Sequence, residues 1–181
     1  MSMYPIASVT PSGSTTAITF SSIPQTFQHL QLRFSGMGSL TNNTFGSLTL
    51  GINGDTTSNH YNWHYDNWNT ATGSANAYQT LGAGAANQTS ISLRGIANSS
   101  TTTTTSQLIL DIYNYSTSYT YSAVKYIIVA ADNGSLGNSY VNGSGLFLPS
   151  SSTTVTSLTL TSSGSNFSNI SRANLYGIWY K

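Results

Sequence analysis

Between Asn59 and Asn69 the chain reads NHYNWHYDNWN. That stretch holds two of the three histidines, two of the three tryptophans and one of only four carboxylates. Imidazole and carboxylate are zinc ligands, and even spacing puts His60, His64 and Asp66 on one face of a regular strand. A strand rises about 3.3 Å per residue, so the Cα atoms of His60 and His64 would stand roughly 13 Å apart, at the limit for one ion. Only His64 and Asp66 are comfortably close, and two ligands do not make a structural site. No metal is expected here.

Catalysis finds little support elsewhere. A glycosidase needs two carboxylates facing each other across a cleft. The candidates are Asp55, Asp66, Asp111 and Asp132, with no Glu in the chain. Asp55 and Asp132 sit in turn sequences, and Asp111 lies on a strand face. No G-x-S-x-G elbow, no G-x-G-x-x-G between strand and helix and no P-loop occurs. The expectation is a protein that is not an enzyme and takes no cofactor.

Recognition is the third chemistry. On a strand, Tyr61, Trp63 and Tyr65 share one face, while His60, Asn62, His64, Asp66 and Trp68 share the other. Exposed Trp or Tyr beside Asn and Asp makes a chemically sensible sugar contact. The competing reading is that the aromatic face is core or subunit interface, where amphipathic Tyr and Trp are common. The candidate contacts are Tyr61, Trp63, His64, Tyr65, Asp66 and Trp68, and the partner of Trp68 is open among solvent, another subunit and a sugar.

The elements that must position these residues are strands. Charged residues are 5% of the chain, against about 25% in an ordinary soluble domain. Polarity comes from Ser, Thr, Asn, Gln and Gly. Helix surfaces favour Glu, Lys, Arg and Ala, whereas strands accept Thr and Tyr. Alternation supports this. Leu30, Leu32 and Phe34 fall on one face of Phe27–Phe34, with His29, Gln31 and Arg33 on the other. Leu48, Leu50 and Ile52 alternate before the turn NGD. Ile91 and Leu93 precede Gly95, which marks a bulge or a close neighbour. Leu108, Leu110 and Ile112 alternate in the next run, and Tyr121–Ala131 is nearly continuous, as a central strand would be. Asp132–Ser135 reads as its closing turn. Gly145–Pro149, Ser157–Thr161 and Ala173–Tyr180 follow.

Nine or ten short strands without helices predict an all-β fold, an antiparallel two-sheet β-sandwich of jelly-roll type. Residues 1–181 form one domain in this reading. Residues 1–8 are an N-terminal arm that reaches a neighbour or pairs as a short edge strand. Thr70–Asn87 reads as a long loop of small residues, and the threonine run at Thr101–Thr105 as a loop or strand edge.

Composition also limits partners. The net charge of +1 lacks the basic footprint of a nucleic-acid binder and offers little repulsion between copies. The absence of cysteine excludes disulfides and thiolate sites. The first residues, MSMYPIASVT, lack a signal peptide's basic flank and apolar run. No apolar run approaches the roughly 18 residues of a membrane span.

Four stretches carry a resemblance: SIPQTFQHLQLRF at Ser22–Phe34, INGDTTSNHYNWHY at Ile52–Tyr65, SLTLTSSGSNF at Ser157–Phe167 and SRANLYGIW at Ser171–Trp179. In this order they resemble small virion proteins of tailed bacteriophages, especially those of cyanobacteria and aquatic bacteria. The resemblance implies a β-sandwich structural protein on the outer surface of a capsid, made in the host cytoplasm. It implies no catalytic site. A short chain without a shaft suits capsid decoration, or cement, with the major capsid protein and copies of itself as partners. A trimer is expected from shell symmetry. The alternative is a tail-fibre or receptor-binding module that contacts host surface glycans.

Overall fold

The computed structural model describes residues 2–38, 44–70, 77–98, 105–118, 121–131, 138–151 and 153–179. The turn expected at Asp132–Ser135 and residues 101–104 of the threonine run lie outside them. The described residues form twelve strands and no helix: β1 (Ser2–Val9), β2 (Ala17–Phe20), β3 (His29–Gly36), β4 (Thr44–Ile52), β5 (Tyr61–Thr70), β6 (Ala77–Gln88), β7 (Ile91–Asn98), β8 (Ser106–Tyr113), β9 (Ser122–Ala131), β10 (Asn138–Phe147), β11 (Leu158–Ser163) and β12 (Arg172–Trp179). All strand pairs are antiparallel. One sheet runs β1-β12-β3-β8-β9-β10-β5-β6 and the other β2-β11-β4-β7.

The alternating runs become the facing surfaces of the two sheets. Leu30, Leu32, Phe34, Leu108, Leu110 and Ile112 come from the large sheet and are buried. Leu48, Leu50, Ile52, Ile91 and Leu93 meet them from the small one. β9 is central, as its apolar run predicts. Val124, Tyr126 and Ile128 face inward, while Lys125, Ile127 and Val129 face out.

Two strands exceed the nine or ten expected. β1 pairs along β12 as an edge strand, with an irregularity between Pro5 and Ala7; proline is compatible with an edge. β6 occupies much of Thr70–Asn87, which composition reads as a loop; residues 71–76 lie outside the described set. Gly95, which reads as a bulge or a close neighbour, pairs regularly with Ser47, and the bulge lies just before it. Leu48 pairs with Arg94 and Thr49 with Ser92, so Leu93 is the extra residue. Arg94 takes the left-handed backbone, φ 71°. The NGD turn is as expected: Asn53 and Gly54 have φ of 56° and 66°, and the Asp55 N–H donates to the Ile52 carbonyl at 2.9 Å.

Across β9, β10, β5 and β6 the inner face carries two rows in which bulk alternates with glycine. Tyr126 pairs with Gly143, Gly143 with Tyr65, and Tyr65 with Gly82. Val124, Gly145, Trp63 and Gly84 make the next row. A Cβ at Gly82 would overlap the Tyr65 ring, and one at Gly143 the Tyr126 ring. The rings therefore lie over bare backbone, which explains why a strand as poor in apolar side chains as β6 has a place in the sheet.

His29 lies half-buried on the outer face of β3, its ring edge-on to Tyr113 at 4.9 Å. Burial lowers its pKa below 6.5, opposed by the nearby Asp111. A depressed pKa means that protonation favours the unfolded chain. The thermal midpoint is expected to fall as pH drops below 6.5, and His29→Gln to flatten that part of the profile. An unchanged profile in the variant would remove His29 from the account.

Candidate functional site

β5 carries the histidine- and tryptophan-rich stretch, and its pleat divides the six candidate contacts. Tyr61 and Tyr65 are core residues, 0% and 6% exposed. Tyr61 packs on Phe147, ring centroids 5.2 Å apart. Its hydroxyl accepts from the Ile52 N–H at 3.1 Å and lies 3.0 and 2.9 Å from the carbonyls of Ile52 and Asp55. One phenol thus ties the start of β5 to the turn after β4. Trp63 is half-buried on the same face. It stacks on Tyr65 at 5.5 Å with the planes 7° apart, and its indole N–H donates to Gln88 at 3.1 Å. The Arg94 guanidinium covers the Tyr65 ring at 5.6 Å, a cation–π contact made available by the left-handed bulge.

His60 precedes the strand and is engaged by the turn after β4. Its Nδ1 lies 2.7 Å from Asp55 Oδ2. Burial pushes the Asp55 carboxyl up, but hydrogen bonds from His60 and Thr57 outweigh this and hold it below the usual carboxylate value. The even spacing of His60, His64 and Asp66 therefore does not translate into a cluster. Among the described residues no three of His, Cys, Asp and Glu gather as a metal site would require.

His64, Asp66 and Trp68 reach the outer face. There a groove of about 540 Å³ crosses β8, β9, β10 and β5. Its floor is Ala123, Ser144 and the backbone of Gly143 and Gly145; its walls include Asn62, His64, Asp66, Lys125 and Asn142. Short residues in the middle of a sheet face, between longer ones on either side, leave the hollow. Register supplies the arrangement: Asn62 pairs with Leu146, His64 with Ser144, Asp66 with Asn142 and Trp68 with Tyr140. The Ser144 hydroxyl lies 3.4 Å from His64 Nδ1. Trp68 and Tyr140, one step along the same strands, are 46% and 41% exposed.

The contributions of β8, β9 and β10 are not visible from the stretch itself. Lys125 sits on an outward position of an alternating strand, which sequence can identify, whereas Asn142 and Ser144 lie on the part of β10 that precedes the Gly145–Pro149 run. Only the strand order brings them beside His64 and Asp66.

No protein-family model matches the chain, and neither does any curated protein or solved structure. The fold and the groove define a class only: an all-β, sandwich-like protein whose larger sheet presents a mixed apolar and polar outer face.

Proposed function

We propose that the chain is a structural protein of a bacteriophage virion, decorating and stabilising the head shell through contacts with the major capsid protein. The carrying observation is an apolar strip on the outer face of the large sheet. Ile109 and Ile127 pair directly across β8 and β9; with Val129 they are 48%, 40% and 45% exposed. Apolar side chains contiguous on a sheet face and bordered by polar residues fit a protein interface. In this proposal the fold is a single jelly-roll-like domain. Copies associate as a trimer, so that several weak contacts act together. The attachment uses apolar, aromatic and hydroxyl groups, so salt weakens it little. No cofactor or catalytic residue takes part. The groove beside the strip favours a second reading, a tail-fibre or receptor-binding module contacting host glycans.

The test is rebinding of purified protein to particles stripped of it. Ile109→Glu with Ile127→Glu should weaken attachment roughly a hundredfold or more, because an unpaired carboxylate buried at the interface costs about 3 kcal/mol. Binding at wild-type strength, or ready removal by high salt, would count against this interface. Sedimentation of the purified protein tests the trimer separately.

A further inference from the structure

We propose that the groove between β5 and β9 is a binding site for a neutral saccharide, extended by Trp68 and Tyr140, the exposed aromatic pair just beyond its Asp66 and Asn142 end. The volume, about 540 Å³, lies within the roughly 300–1,000 Å³ of small-molecule sites. The lining determines the ligand class. Asn62 and Asn142 each offer both donors and acceptors, Asp66 accepts, and Lys125 donates. That mixture suits a ligand dense in hydroxyl groups, which must be met from both sides. Asp66 and Lys125 offset each other, and the His64 imidazole is the remaining basic group of the walls, unlike the clustered cations that bind phosphate chains.

A peptide strand is a poor occupant. The groove lies on the face of the sheet, where the backbones of β9, β10 and β5 already pair with one another. An added strand needs an open edge. An acyl chain is equally poor, because amide and charged groups would lose water without partners. A sugar ring presents hydroxyls at its rim and C–H groups on its faces, and the latter pack on aromatic rings. Trp68 and Tyr140 supply such rings directly opposite each other, beside the polar row of Asp66 and Asn142. All these residues stand on paired strands, so little ordering is lost on binding.

The inference does not depend on where in the virion the protein sits, since the apolar strip and the groove use different side chains. Tryptophan fluorescence of the full chain, titrated with neutral hexose oligosaccharides, tests it; maltohexaose, mannohexaose and galactohexaose are the probes, with polygalacturonate and heparin as charged comparisons. Saturable binding to at least one neutral probe is expected. Trp68→Ala should weaken it about tenfold, the loss of one aromatic face, and Asp66→Ala should weaken it as well, with circular dichroism and thermal midpoint unchanged. Isothermal calorimetry reads the tryptophan variant independently of its lost fluorophore. Ile109→Glu, the interface variant on β8 and two strands from Asn142, should bind the sugar normally. No saturable binding to any neutral probe, preference for the charged polymers, or binding that survives both groove substitutions would overturn the proposal.

Discussion

Gly143→Val is expected to lower the thermal midpoint by about 6–12 °C. The size follows from the crowding beneath Tyr126. A Cβ on Gly143 would enter the Tyr126 ring, and forcing extra carbon into a packed core costs about 3 kcal/mol. In a domain of this length each kcal/mol moves the midpoint by roughly 2–4 °C. The ring has no easy retreat. It is 1% exposed, and its hydroxyl donates to the Ser92 carbonyl at 2.7 Å, joining β9 to β7 across the two sheets. Burial, reinforced by the neighbouring Tyr65, pushes that phenol's pKa well above the usual value. Differential scanning calorimetry of four proteins makes the test complete: wild type, Gly143→Val, Tyr126→Ala and the double variant. Most of the glycine penalty should vanish when Tyr126 is alanine, since residues in contact couple strongly. Additive effects would show that ring and glycine do not oppose each other.

Tyr61→Ala should destabilise by about 3–5 kcal/mol, through the cavity left by a large buried ring. Tyr61→Phe isolates the hydroxyl. It keeps the packing on Phe147 but leaves the Ile52 and Asp55 backbone groups without their phenol, a loss of about 1–3 kcal/mol. Urea unfolding separates the two substitutions. A second readout is alkaline. Burial, with Asp55 nearby, pushes the Tyr61 phenol up from 10.0 to about 12. A raised pKa gives stability that is fully present below pH 10.0 and lost as pH rises through about 12. The phenylalanine variant should lose this tyrosine's share of the alkaline transition. An unchanged urea midpoint for Tyr61→Phe would show that the hydroxyl does not hold β5 to the β4 turn.

Much of the sheet structure was legible because one face of each strand is buried. Leu30, Leu32 and Phe34, or Leu48, Leu50 and Ile52, announce both the strand and its inward side. β6 was not legible, since its inner positions Gly82 and Gly84 contribute no apolar side chain. The apolar cover over them belongs to Tyr65 and Trp63 on β5. The start of β10 was obscured for the same reason: Gly143 and Gly145 interrupt the apolar pattern that would mark a strand. For the candidate site, alternation correctly separated Tyr61 and Tyr65 from His64, Asp66 and Trp68. It could not foresee Lys125, Asn142 or Tyr140 beside them, because that requires knowing that β10 lies between β9 and β5.

The rows of rings over glycines also bear on how this sequence can change over generations. Tyr65 with Gly82, Trp63 with Gly84 and Tyr126 with Gly143 are each one spatial unit divided between two strands. A side chain gained at one member demands a smaller residue at the other, so drift at these positions proceeds by paired exchange. In relatives of this chain, residues 63, 65 and 126 should covary with 84, 82 and 143. Those three correlations would reveal the pairings β9-β10 and β5-β6 from an alignment alone, including the edge strand that hydrophobic pattern conceals.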